Sequence, residues 1–280
     1  MREKDFRTMT AEEIVRRYWK GFRLFQGVYY ALLAVYLLFL LWLAVGPLRD
    51  FRWWFLTYLV SLGAAFLCLR LVRVVNSRHY LQLEQILTQD CDAVKYTEVC
   101  RLLKSRMKRS TGMVKLNETK GLVFSGQFRE AAALLEDVEL KKPQLAVKLL
   151  YQNVAFNCAV LLGEVRYAEE TRRETERLLK KKRPGKAVRQ AGEQLLMLMD
   201  AGLAFQREDY ETLRSLETRL EGMYTVPLQF VTSAYRLARA DLAQGETEGA
   251  RARLTYVAEQ GGTLYVTGEA RRLLAELEQN

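Results

Sequence analysis

Apolar residues are concentrated toward one end of this 280-residue chain. Residues 24–48 hold no charged side chain and include the run from Ala31 to Val45, and residues 53–69 form a second uncharged run. At about 1.5 Å per helical residue, the first run crosses a hydrocarbon core of about 30 Å. The second reaches that length by continuing past Arg70, because a long cationic side chain near a helix end extends to the headgroups. Two transmembrane helices are therefore expected, at 24–46 and 53–75, joined by a short external turn at 47–52 that makes them antiparallel. Trp42, Trp53, Trp54 and Tyr58 supply aromatic rings for the interfaces. A cleaved signal sequence fits poorly, since its apolar region runs to about 7–15 residues and no second span would follow it.

Charge sets the expected orientation. Basic residues from Arg2 to Arg23 precede the first span and Arg70, Arg73 and Arg78 end or follow the second, whereas only Arg49 and Arg52 lie in the turn. Such an excess marks the cytoplasmic side, so both termini are expected in the cytoplasm. Residues 1–23 read as a cytoplasmic basic amphipathic segment. Thr10-Ala-Glu-Glu13 has the form of a capping box, and Ile14, Trp19 and Phe22 are interspersed with Arg16, Arg17, Lys20 and Arg23. This segment either lies along the inner headgroups or extends the first span into water. Of the net +10, residues 1–78 carry +7, so the remaining chain is too evenly charged to suggest a nucleic-acid partner. Cys68 falls inside the second span, and Cys91, Cys100 and Cys158 form no Cys-x-x-Cys or Cys/His cluster, which suits reduced, buried thiols.

Beyond the spans the apolar residues recur at helical spacing, and strand-like alternation is not sustained anywhere. The fold class is therefore all-α. A turn signal recurs: Gly126-Gln-Phe-Arg-Glu-Ala131, Gly163-Glu-Val-Arg-Tyr-Ala168, Glu208-Asp-Tyr-Glu-Thr-Leu213 and Gly245-Glu-Thr-Glu-Gly-Ala250, at spacings of 37, 45 and 37 residues. Each copy lies between two helical stretches. Pro143, Pro184 and Pro227 fall where a next helix would begin, a place that tolerates proline.

These residues resemble the tetratricopeptide repeat (TPR) family, whose unit carries a Gly-x-Tyr/Phe-x-x-Ala junction and a proline near its end. Gly126, Phe128, Ala131 and Pro143 match that pattern best. Ala234, Leu237, Ala238, Gly245 and Ala250 match it in the last unit. Polar Glu118 and Thr119 replace the Leu-Gly pair of the family's first helix, and Arg172 stands where a packed apolar residue is usual. The resemblance covers about residues 112–260. It implies a TPR-like α-solenoid, in which helix pairs bury their apolar faces by stacking. The expected order is a linking helix pair at 79–111 with Asp92 as an N-cap, four helix pairs at 112–262, and a capping helix at 263–280 with Leu264, Leu273, Leu274 and Leu277 on its apolar side.

Catalytic patterns are missing from the sequence. His79 is the single histidine and sits at the expected membrane boundary, and no phosphate-binding, dinucleotide-binding, nucleophile-elbow or zinc-protease motif occurs. Acids such as Glu169, Glu170 and Glu174 alternate with Arg172, Arg173 and Arg177 at helical spacing, the pattern of a solvated face. Neither an enzyme nor a cofactor nor a metal site is expected. Lys180, Lys181, Lys182, Arg183 and Lys186 form the densest basic cluster, open to three readings: a solvated helix end, a contact with anionic inner-leaflet lipids, or RNA or another acidic partner. Aligning the repeats as in the family puts Lys120, Asn153, Asn157, Tyr235 and Arg239 on the inner face, where cations and amides could hold an acidic group or a terminal carboxylate.

The sequence thus reads as a two-helix transmembrane hairpin in a bacterial plasma membrane, carrying a cytoplasmic TPR-like scaffold for a protein or peptide partner. The alternative is an assembly subunit of a transport or secretion complex, with the hairpin as its main interface. A reporter active only in the cytoplasm should work when fused after Asn280 and fail when inserted at Asp50. The opposite pattern would discard the orientation.

Overall fold

The structure, a computed structural model, describes residues 6–45, 51–107, 112–181 and 184–279, with backbone alone for 43–45, 51–54, 69 and 72–80. Arg2, Lys4, Lys182, Arg183 and most of the expected turn at 47–52 lie outside the described residues, as do the side chains of Trp53, Trp54 and His79. Among the described residues the chain is helical, with no strand. It divides into two units: residues 12–84, and a helical body formed by the residues up to Ala11 together with those from Gln85 onward.

The first unit holds two long helices, α1 (Ala11–Val45) and α2 (Phe51–Leu81), followed by a 3-10 turn at Gln82–Glu84. At 1.5 Å per residue the 35 residues of α1 run about 52 Å. The described residues include two helices long and apolar enough to cross a membrane. One is α1, whose most apolar stretch is nowhere buried; Leu24, Val35 and Leu38 are each more than 60% exposed. The other is α7, which belongs to the body and buries Leu149, Phe156 and Val160 in a protein core. In α2 the described apolar stretch is the shorter Phe55–Cys68.

Two boundaries differ from expectation. Residues 6–23, the described part of the expected segment 1–23, are divided between the two units. Phe6 is buried in the body, Arg7 pairs with Asp90 at 2.8 Å, and Lys95 Nζ donates to the Arg7 carbonyl at 3.1 Å. The helix that starts at Ala11 then continues through residue 24 without a break, because no proline interrupts its hydrogen-bond ladder. Similarly, the linking pair at 79–111 is not a pair of full helices. Its first half is the end of α2, the 3-10 turn and the single-turn α3 (Gln85–Thr88). Cys91 at φ 52° reverses the chain there, and Asp92 caps α4 (Ala93–Arg106) by accepting the Lys95 N–H at 3.1 Å. Residues 108–111 lie outside the described residues.

The rest of the body is a sequence of helices that pack on their chain neighbours: α5 (Gly112–Phe124), α6 (Phe128–Glu136), α7 (Leu145–Leu162), α8 (Val165–Lys181), α9 (Lys186–Gln206), α10 (Tyr210–Glu221), α11 (Pro227–Ala243), α12 (Thr247–Gln260) and α13 (Tyr265–Gln279). The recurring turn signal occupies the α5–α6, α7–α8, α9–α10 and α11–α12 junctions. All four turn residues are left-handed: Gly126 at φ 88°, Gly163 at 78°, Glu208 at 58° and Gly245 at 79°. After each, the next residue's N–H (Gln127, Glu164, Asp209 or Glu246) reaches back to the carbonyl five residues earlier at 2.8–2.9 Å, the bond that closes a Schellman turn. Five residues beyond the turn, Ala131, Ala168, Leu213 and Ala250 are completely buried. One sequence signal therefore corresponds to one backbone geometry, four times over.

Packing proceeds stepwise. One cluster joins α5, α6 and α7 around Leu116, Leu135 and Val154; the next joins α7, α8 and α9 around Phe156, Ala168 and Met199; a third joins α9, α10 and α11 around Ala204, Leu213 and Ala240. Sequence-odd charges pin neighbouring helices. Glu118, 4% exposed at its side chain, accepts Lys104 Nζ at 2.5 Å, and Arg172 binds Asp200 with two nitrogens at 2.8 and 3.1 Å. Asp241, 1% exposed, lies between Arg214 and Arg253.

Left-handed backbone disfavours a side chain with a Cβ by about 1–2 kcal/mol. Glu208→Gly should therefore stabilise the body by about 1 kcal/mol, roughly 2–4 °C in midpoint. Gly163→Ala, where the added Cβ meets nothing within 4 Å, should cost a similar amount through the backbone alone. Thermal unfolding of the two variants measures both signs, and equal midpoints would remove the junction from the account.

Candidate binding cavity

Alternate helices of the body share one face. A cavity of about 240 Å³ is lined by α5, α7, α9, α11 and α13, with Thr88 of α3 and the α11 cap residue Val226. None of α4, α6, α8, α10 or α12 reaches it. Its walls are mainly apolar, with Phe124, Phe156, Leu198 and Met199 among them. Among the described residues, two cationic side chains, Lys120 and Arg236, lie in the lining, and no Asp or Glu does.

The body's two ends meet beside this cavity. Thr263, just before α13, donates its N–H to the Cys91 carbonyl at 3.1 Å and its hydroxyl to Asp92 Oδ1 at 2.9 Å, while the Val94 N–H donates to its Oγ1 at 3.1 Å. Tyr265, at the start of α13, sets its ring edge-on to Phe128 at the first junction, with centroids 5.2 Å apart, and to Tyr235 at 6.5 Å.

Of the five residues expected on an inner face, Lys120, Asn153, Asn157 and Tyr235 line the cavity. Lys120 and Tyr235 are buried, and the Asn157 amide donates to the Asn153 carbonyl and side-chain oxygen at 2.8 and 3.0 Å. Arg239 is not part of the lining; one helical turn further along α11, it approaches the Tyr235 hydroxyl at 3.4 Å. The basic cluster is split. Lys180 pairs with Glu176 at 2.7 Å and Lys181 ends α8, where the helix dipole favours cations, but Lys186 opens α9, where the dipole disfavours one. The grouping seen in sequence is thus divided between a helix end and a helix start.

Sequence reasoning missed Arg236 and Tyr265. Arg236 adjoins Tyr235, so the same helical register could have found it; Tyr265 could not be found, because its place depends on the two ends meeting. Arg236 is held from behind by Glu217 of α10, with its Nε at 2.7 Å. That carboxylate, 1% exposed, also accepts Tyr224 Oη and Ser233 Oγ, each at 2.6 Å. Burial alone would raise the Glu217 carboxyl, but the Arg236 charge and the two hydroxyl donors outweigh it and hold it below its usual value. Burial, with Tyr235 adding to it, pushes the Tyr265 phenol well above its ordinary value, so it remains a neutral donor. Burial likewise raises the thiols of Cys91, to about 11, and Cys158, to about 12. Both are therefore poor nucleophiles at neutral pH. Among the described residues no three His, Cys, Asp or Glu side chains come together as a metal site would require.

No family model, curated protein or solved structure matches this chain.

Because the folded Glu217 carboxyl lies below its unfolded value of about 4.3, its stabilising contribution is complete above that pH and is lost as pH falls through the folded value. Glu217→Gln should lower stability at pH 7 by about 3 kcal/mol, since the largely covered Arg236 loses its counter-charge. The gap to wild type should narrow as the pH falls from 5 to 3, through the unfolded value of about 4.3. Unfolding midpoints across that range test it, and a gap independent of pH would show that Glu217 is not ionised in the folded chain.

Proposed function

We propose that this chain is a membrane-anchored, TPR-like scaffold that binds a protein or peptide partner and performs no catalysis. The observation that carries the reading is the cavity. Side chains from α5, α7, α9, α11 and α13 converge on one face, and among the described residues that face has cations, amides and hydroxyls but no carboxylate. Convergence of alternate helices on a shared inner surface is how stacked helix pairs of the TPR type display a ligand face. The fourfold junction, with its left-handed turn and buried small or apolar residue, supports the same architecture.

The anchor in this reading is a two-helix hairpin with both termini in the cytoplasm, in a bacterial plasma membrane. The support is the bare apolar surface of α1, the apolar stretch Phe55–Cys68 of α2, and the excess of basic residues outside the turn. Confinement to a surface raises the effective concentration of whatever the body holds. Lys180, Lys181 and Lys186 would then add attraction to anionic lipids, about 1 kcal/mol for each cation near the surface.

Affinity capture of the full chain from detergent should recover a soluble partner with the wild type, and recover less of it with Asn157→Ala and with Arg239→Ala in protein of unchanged helicity. Recovery of membrane subunits alone, indifferent to both substitutions, would favour the assembly role of the hairpin and end the scaffold reading.

A further inference from the structure

We infer that the turn at 90–92 is a latch between the segment that leads into α1 and the start of α13, so that the state of that segment controls whether the cavity is closed. This rests on the cavity being the recognition face and goes on to name how access to it is regulated. The latch is a continuous run of polar contacts. Lys95 Nζ donates to the carbonyls of Phe6 and Arg7 at 3.4 and 3.1 Å and pairs with Asp92 at 3.3 Å. Asp92 in turn accepts the Thr263 hydroxyl at 2.9 Å, and the Thr263 N–H donates to the Cys91 carbonyl at 3.1 Å. Two residues on, Tyr265 and Val266 form a wall of the cavity. At the other end of the run, Arg7 pairs with Asp90 at 2.8 Å, and residues 6–10 lead directly into α1.

The closed arrangement is held by weak contacts and carries two costs. Thr263 is exposed, so its hydrogen bonds compete with water and each adds little. Gly262, at φ 51°, lies so near the turn that a Cβ would sit 2.7 Å from the Cys91 carbonyl oxygen, which makes it a pivot only glycine can form. Cys91 is left-handed although it has a side chain, and the Thr267 hydroxyl, in a residue 1% exposed, has no hydrogen-bond partner among the described residues. Release of the latch lets the turn relax and the hydroxyl reach water. A state held by small gains against stored costs lies close in energy to its alternative, which is the condition for a switch.

The test uses the full chain in lipid nanodiscs, with amide hydrogen exchange read by mass spectrometry at residues 261–270 and at residues 6–10. Lys95→Met keeps the alkyl stem and removes the ammonium, and it should raise exchange at 261–270 about fivefold. Thr263→Val should raise exchange at 6–10 by a similar factor, because coupling between two sites is reciprocal. Exchange within α7 and α9 should remain that of wild type in both variants. Alkylation of Cys91 by N-ethylmaleimide should quicken in the same two variants, since its thiol is buried in the closed latch. Thr263→Ser, which keeps the hydroxyl, should match wild type throughout, and Lys95→Gln replaces Lys95→Met if helicity falls. The inference is overturned if exchange rises equally in α7 and α9, which is loosening of the whole body, if each variant acts only at its own end, or if Thr263→Ser behaves as Thr263→Val. No partner enters these measurements, so the latch and the scaffold reading tested by affinity capture stand or fall separately.

Discussion

A left-handed residue at the end of one helix, followed five positions later by a fully buried side chain, is the constraint on which the body is built. The positive φ turns the chain and lets the Schellman bond form, which commits the following helix to lie back along the one before it. The buried residue then fills the space between the two helices: alanine at 131, 168 and 250, and the larger Leu213 at the third junction, each completely buried. Successive junctions of one kind put every second helix on the same side, and a common inner face follows without any contact between distant parts of the chain.

Charges buried between helices complete this arrangement. Glu118, Glu217 and Asp241 each accept from a basic residue on a neighbouring helix. Such pairs add little net stability, because desolvation offsets most of their attraction, but breaking one leaves a charge stranded in the interior. They act as registers: a helix that slid by one turn would lose its partner. The Glu217 pair has a second consequence, since the arginine it holds forms part of the cavity wall.

The helices of residues 12–84 follow a different rule. In the body, most apolar residues are covered by protein. Along α1 from Leu24 onward and along the described part of α2 none is buried, and Leu24, Val60 and Phe66 would each be costly in water. A hydrocarbon environment removes that cost. The same measure separates α1 from α7: both are long and apolar, but only α7 has its apolar side chains packed into a core.

Much of this was legible in the sequence, because it is local. Helical periodicity, the uncharged runs and the turn signal are properties of neighbouring residues, and a glycine between two amphipathic stretches states its backbone conformation directly. Glu208 shows the power of the pattern, since its position in the repeat marked a turn where glycine was absent, and the structure makes it left-handed. Glu118 and Arg172, by contrast, look like faults in a repeat when read alone; their counter-charges, Lys104 and Asp200, are 14 and 28 residues away, and no local rule pairs them. Boundaries near Ala11 and Gln85 were also beyond local reading, because what separates the two units is which residues pack together. The meeting of Thr263 with Asp92, 171 positions apart, lies furthest from anything the sequence displays. By itself the sequence determined the helices, their order and the repeated turn, each a matter of short-range sterics and periodicity. Only the tertiary structure decided that the inner face would close into a cavity, because small rotations at every junction add up along the stack and their total is written at no single residue.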